Sequence, residues 1–360
     1  MSAVGLRRKA KAGGAREHAV GRLVGALAFV LTATTTATVA ATAAGAQEQP
    51  VTVTARPIDA FQIGSTETRF GDLEFVGGLE LTGSSRLLGA MSAIRLEEDR
   101  SRFLGVMDTG HWFKGRIVRD EAGVAQGIED FTITPMRTRG GDRSSAKWMV
   151  DAEGLAVRED AVLVGFERDH RIDLYPLADP VAASPMGSAP ILIPRHELRS
   201  NRGLETVAVA PQDSPLAGAT VAVSERSING DGDIFAAVLD GPHKGVFFVR
   251  RQPPFDVTDG AFLPNGDLVL LERRFSISGG IGMRLRRIAG ETIRSGARVD
   301  GSVLLDADFG HQIDNMEGLD VSVDATGNVY LTLVSDDNHS ILQRNLLLEF
   351  RLLADEAGAK

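Results

Sequence analysis

Carboxylates recur where short apolar strands begin and end. In DAEGLAVREDAVLVGFERDH, Asp151 to His170, a turn at Glu159–Asp160 makes a hairpin whose first strand opens at Glu153 and whose second closes at Glu167. Both side chains then reach one end of the sheet, where like charges repel unless a cation lies between them or one is protonated. With Asn265-Gly266 read as a two-residue turn, Asp259 faces Glu272, and a third unit sets Glu317 opposite Ser335 with Asp336 beside it. Oxygen donors at this density suit a hard cation, Ca²⁺ ahead of any softer metal. The candidate metal ligands are Asp108, Glu153, Glu167, Glu225, Asp259, Glu272, Glu317 and Asp336, with Glu205 at a similar strand end.

Basic residues sit close to these acids. Arg168, Arg171, Arg202, Arg226 and Arg273 are candidate contacts to an anionic substrate, because a guanidinium can grip phosphate or carboxylate oxygens with two parallel hydrogen bonds. His111 and His170 are candidate proton carriers, and Glu167 joins them in the candidate catalytic set. A second account needs no metal. Three strand ends read Glu-Arg, at 167–168, 225–226 and 272–273, and Arg202 stands where Glu153, Asp259 and Glu317 stand in their units, facing Glu225. Such pairs could form a lattice that holds sheets in register.

The elements that must carry these residues read as antiparallel hairpins. Strand starts GGLEL (77–81) or GAMSAIRL (89–96), then AEGLAV, RGLETVAV, DGAFL and EGLDVSV, recur along the chain, and Gly154, Gly203, Gly260 and Gly318 mark a propeller-blade period. Each start leads through turn residues to a β-branched or apolar strand. No long 3.6-residue apolar period follows residue 50. The expected fold is all-β: a single β-propeller whose central channel has an acid-lined mouth. Length divided by the unit favours six blades over five, the last completed by strands from both termini (Val51–Ala55 and Leu346–Leu352). Two packed sandwiches are the alternative architecture.

Other chemistry is excluded. The chain has no cysteine, hence no disulfide, thiolate nucleophile or Cys metal site. Gly-x-Ser-x-Gly, His-Glu-x-x-His and Gly-x4-Gly-Lys are all missing. INGDGDIF (228–235) has acids at alternate positions as a calcium loop would, but Ile234 occupies the place of the required glycine, and a hairpin turn fits better.

Residues 1–46 have the layout of a cleavable secretory signal: Arg7, Arg8, Lys9, Lys11, Arg16 and Arg22 lead into an apolar run and a small-residue stretch ending at Ala46. Removing these six basic residues and one acid, Glu17, takes the formal charge from -9 to -14. A mature chain this acidic is a poor partner for nucleic acid or an anionic membrane, and no membrane span remains. The expectation is a monomeric periplasmic or secreted protein with a domain over 47–353 and a disordered tail over 354–360.

In order along the chain, DRSRFLGVMDTGH (99–111), DAEGLAV with FERDHRIDLY, NRGLETVAV with AVSER, and NMEGLDV resemble the phytase-like domain family, whose exported bacterial members carry the description esterase-like activity of phytase. The resemblance spans roughly residues 60–350. It implies a propeller and a hydrolytic role on phosphate or other esters, without a catalytic set to transfer. Together these readings point to a metal-dependent hydrolase of a small anionic ester or phosphoester, with Ca²⁺ as cofactor. The rival readings are a non-catalytic propeller that binds a cell-envelope ligand or partner, and a lactonase-like enzyme with a single metal.

Overall fold

The computed structural model describes residues 48–142, 146–276 and 279–353; the expected signal segment and C-terminal tail lie outside the described residues. Five sheets form the blades of one β-propeller. From the axis outward, blade I is Met91–Leu96, Arg102–Met107, His111–Arg119, Ala125–Pro135 and the edge pair Gln49–Pro50. Blade II is Ala152–Arg158, Ala161–Phe166, Arg171–Pro176 and Gly187–Ala189. Blade III is Leu204–Val209, Thr220–Ile228, Ile234–Val238 and Gly245–Val249, with Arg298–Val299 added in parallel. Blade IV is Asp256–Phe262, Leu268–Ser276, Gly280–Ile288 and Ser302–Ala307. Blade V runs Met316–Val323, Val329–Ser335, Asn345–Leu352, Leu73–Gly83 and Val53–Ile58. Helix is confined, among the described residues, to Lys147–Val150 and a short 3-10 turn at Gly290–Thr292.

The all-β propeller matches the sequence reading, and its blade count is five, the smaller of the two numbers considered. Residues 49–83 build no blade of their own; they complete blades I and V, which lowers the count obtained from length. Of the two strand starts near the N-terminus, GAMSAIRL supplies an inner strand, whereas GGLEL belongs to the fourth strand of blade V. As expected, that blade joins both ends of the chain, Asn345–Leu352 pairing with Leu73–Gly83.

Each gap between neighbouring blades is filled by its own apolar layer. Leu155, Val164 and Trp112 lie between I and II, and Leu163, Val207 and Ala237 between II and III. Val223, Val257 and Leu270 fill III to IV, Leu271, Leu319 and Leu333 fill IV to V, and Leu79, Met91 and Leu347 fill V to I. The seam between V and I carries in addition a fully buried Glu349, which accepts hydrogen bonds from Arg100 (2.9 Å) and Arg119 (2.5 and 2.8 Å). Burial of two faces per blade is the main force holding the ring shut, since no blade can leave without exposing two apolar layers.

The glycine repeat has a steric cause. The inner strands pack against one another around the axis, and a Cβ on Gly154 would stand 2.6 Å from the Glu205 carbonyl oxygen, one on Gly318 3.1 Å from Ala93 Cα. Gly203 has a different role. It precedes its inner strand and lies under the His170 ring, 2.0 Å from where its Cβ would be. The glycines are therefore not at equivalent positions, and a register built on them slips.

Candidate active site

All five inner strands carry a β-bulge near their first residues. The residue without a partner is Ser92, Glu153, Glu205, Thr258 or Glu317 in blades I to V. A bulge re-aims its side chain and bends the strand locally. The residue just past the last pair on the second strand is likewise equivalent in four blades: the N–H groups of Asp108, Glu167, Glu225 and Asp336 each donate to a carbonyl just before an inner strand, at 2.8 to 3.1 Å. In blade IV the corresponding residue is Arg273, paired with Asp256. Two pseudo-fivefold rings thus stand at one end of the channel, and every member except Thr258 lines a cavity of about 370 Å³ that also includes Asn201, Arg202 and Asn338.

Four carboxylates in this mouth, Glu153, Glu167, Glu205 and Asp336, have no cationic side chain within 4 Å among the described residues. The rest are paired. Arg273 lies 3.3 Å from Glu317 and 3.9 Å from Glu225, and is steadied by Asn315. Arg202 lies 3.8 Å from Glu225 and 3.4 Å from Asp256, as the pairing of Arg202 with Glu225 anticipated. Lys147 binds Asp108 and lies 3.5 Å from Asp151, while Arg168 binds Asp151 at 2.5 Å.

Burial dominates the titration of the unpaired acids. It raises the Glu153 and Glu205 carboxyls well above the usual carboxylate range, and the neighbouring carboxylates push the same way. Glu167 is pushed up to about 7 by burial, against the opposing hydrogen bond from Gly203 N–H at 2.8 Å. Glu317 is likewise raised to about 7 despite Arg273, and Asp336 to about 6. Carboxylate oxygens of Glu167, Glu205 and Glu225 lie within 4.8 Å of one another. Ionised carboxylates only accept hydrogen bonds, so at that spacing they repel unless a cation lies between them or one is protonated.

The candidate ligands divide clearly. Asp108, Glu153, Glu167, Glu225, Glu317 and Asp336 converge on the mouth, with Glu205. Asp259 and Glu272 do not. The Pro264-Asn265-Gly266 loop is one residue longer than the two-residue turn, and the bulge at Thr258 shifts the register again, so Asp259 faces Leu271 and Glu272 faces Val257. Glu272 is buried inside blade IV against fully buried Arg286. Asp259 lies at mid-channel, accepting from Leu319 N (2.9 Å) and Gly260 N (2.7 Å). Arg202 is not the counterpart of Glu153 either; Glu205 is.

Of the candidate anion contacts, Arg202 and Arg273 line the cavity. Arg168 reaches its edge through Asp151, and Arg226 is paired with Asp256 at 3.4 Å. Arg171 points away, stacked 3.8 Å over Phe166 and bonded to Asp169 and Asp173. Neither histidine lines the cavity. His111 Nδ1 meets Thr109 at 3.1 Å, and burial of His170 lowers its pKa and favours the neutral ring. His170 instead backs Gly203, whose N–H holds Glu167. The sequence reading passed over Asp151 and Lys147; Asp151 opens the very hairpin that drew attention to Glu153. The 228–235 segment is a turn, as expected, with Asn229 Oδ1 accepting from Asp231 and Asp233 N–H at 2.9 Å and Asp233 paired with Arg298.

Below the mouth the channel is braced by Arg95. Its guanidinium donates to Leu319 O (2.8 Å), Val207 O (3.4 Å) and Asp259 (3.4 Å), with Asp320 3.9 Å away. The mouth is therefore a pit with a floor. No helix of the described residues is long and apolar enough to cross a membrane.

Fold and site together define a five-bladed propeller with a carboxylate-rich axial pit whose lining also holds Arg202 and Arg273. The chain matches the phytase-like family, described as esterase-like activity of phytase, over residues 86–339, and it belongs to that family. At the family level this makes it a hydrolase of the phytase or esterase-like kind. No curated protein matches it. Among solved structures, the WD40 repeats of RRP9 align over 80% of this chain and 100% of theirs, at 11% identity and a TM-score of 0.41. U3-55K aligns over 78% and 98% at 11% identity and 0.38. A protein of unknown function from Bacteroides caccae aligns over 51% and 56% at 10% identity and 0.29. At these TM-scores the likenesses carry no argument.

Proposed function

We propose that this chain is an exported, monomeric, calcium-dependent hydrolase of small anionic phosphoesters or other esters, and that the acidic mouth is its active site. The observation that carries the reading is the convergence of Glu153, Glu167 and Glu205 without a cation. Ligand atoms of Asp151, Glu153 and Glu167 lie within 4.8 Å of one another, and so do those of Glu167, Glu205 and Glu225. Asp108 Oδ1 and Asp151 Oδ1 are buried without a hydrogen-bond partner among the described residues. All-oxygen donors of this kind fit Ca²⁺.

Those residues would hold the ion, which when bound supplies Lewis-acid polarisation of an ester oxygen and a more acidic water. Arg273 and Arg202 would bind the substrate anion and its developing charge. Arg273 is anchored by Glu317, Glu225 and Asn315, so its fork is already oriented. One Glu167 oxygen is held by Gly203 N–H, which fixes the orientation of that carboxylate in the ligand set. Arg95, bonded across the channel to Leu319 O, Val207 O and Asp259, would keep the substrate in the mouth.

Metal analysis of the purified protein, followed by assays on p-nitrophenyl phosphate, phytate and p-nitrophenyl acetate with and without chelator, tests the proposal. Chelator-sensitive phosphate release restored by Ca²⁺ is expected. Turnover of carboxylic esters alone would favour the lactonase-like reading, and no turnover by a folded protein would leave a binding propeller.

A further inference from the structure

The channel has a second opening. Four residues beyond the bulges, about 13 Å along each inner strand, the chain lines a cup of about 680 Å³ with apolar walls that include Leu96, Val157, Val181, Val209, Phe262 and Val321. Every blade contributes, and no lining residue is shared with the acidic mouth. The volume lies within the range of small-molecule sites.

Its charge is unbalanced. At the apex one guanidinium, Arg95, serves two carboxylates, Asp259 and Asp320, leaving a net negative charge in an apolar surround. Asp320 is buried, and one of its oxygens accepts from Leu96 N at 3.0 Å. At the rim Lys114 is already paired with Glu48 at 2.9 Å. Glu97, Glu98 and Asp179 line the same opening and make no ion pair among the described residues. An anion entering this cup would meet carboxylates at rim and apex. A neutral apolar molecule would leave the charge at the apex uncompensated.

We propose that this cup is a ligand site, separate from the acidic mouth, for a small amphiphile with an alkyl body and a primary ammonium head. The alkyl chain packs on the apolar wall, and the ammonium is drawn by the surplus carboxylate charge.

Titration calorimetry of the purified protein with hexylammonium, octylammonium, hexanol and hexanoate tests it. Expected is one site that binds hexylammonium at least about tenfold tighter than hexanoate, with affinity rising about fourfold per added methylene. Val157→Trp, which fills the cup from an exposed position, should weaken binding about tenfold, and the double variant Glu97→Gln/Glu98→Gln should weaken the ammonium but not hexanol. Glu153→Gln in the mouth should leave binding unchanged. Equal affinity for hexanoate, no dependence on chain length, indifference to Val157→Trp, loss of binding in Glu153→Gln, or no binding at millimolar ligand would each overturn the proposal.

Discussion

Replacing Glu167 by Gln should stabilise the metal-free protein at alkaline pH. In the folded chain the Glu167 carboxyl is raised from 4.5 to about 7, chiefly by burial. Between those values the native state holds a proton that the unfolded chain has released, so stability falls as pH rises through this window and stays reduced above it. The gap corresponds to about 3 kcal/mol at pH 8 and less than about 1 kcal/mol at pH 5. Gln is a near-isostere of the protonated acid, keeps the acceptor for Gly203 N–H, and has no proton to lose. Urea unfolding in the presence of EGTA should therefore show the variant more stable than wild type by about 3 kcal/mol at pH 8 and close to it at pH 5. Millimolar Ca²⁺ should reverse the order, because the intact carboxylate set gains binding free energy that the variant lacks. A Gln variant no more stable than wild type at pH 8 without calcium would refute the account of an acid left uncompensated by protein cations.

Three further substitutions separate site from scaffold. Arg273→Gln should raise KM for p-nitrophenyl phosphate by about tenfold or more while leaving p-nitrophenyl acetate little affected, because a charge-assisted anion contact is lost; steady-state kinetics on both esters reads this. Glu272→Gln should leave kcat/KM unchanged but cost about 2 to 3 kcal/mol of unfolding free energy, since fully buried Arg286 loses one of its two carboxylate partners and keeps Asp300 at 3.1 Å. Arg95→Met should cost a similar amount by removing the cation between Asp259 and Asp320, seen as a lower urea midpoint at neutral pH that partly recovers near pH 5, where both acids, raised to about 6, are protonated.

Much of the site was legible because strand ends in this chain are chemically marked. The turn at Glu159–Asp160 is the two-residue turn read from the sequence, with Arg158 opposite Ala161 and Gly154 opposite Gly165. That register alone would set Glu153 opposite Phe166; the bulge at Glu153 brings its carboxylate to Glu167, at the strand end where the sequence placed both. Blade IV fails the same arithmetic. A three-residue loop and a bulge each displace the register by one, and a displacement of one sends a side chain to the other face. Asp259 and Glu272 were misplaced for that reason, and Arg202 was aligned with Glu153 because Gly203 resembles Gly154 while serving the His170 ring instead.

By itself the sequence determined the all-β class, the propeller period, and the gathering of acids at one end of the blades, because strand alternation, turn residues and glycines at close backbone approaches are local properties written residue by residue. Only the tertiary structure decided that there are five blades, that bulges aim Ser92, Glu153, Glu205 and Glu317 into the mouth, and that Arg273 stands in blade IV where the other blades place Asp108, Glu167, Glu225 and Asp336. Those facts depend on ring closure and on one-residue shifts between strands distant in the chain. No local pattern encodes such a shift, because the same side chains satisfy neighbouring registers until the inner strands pack against one another.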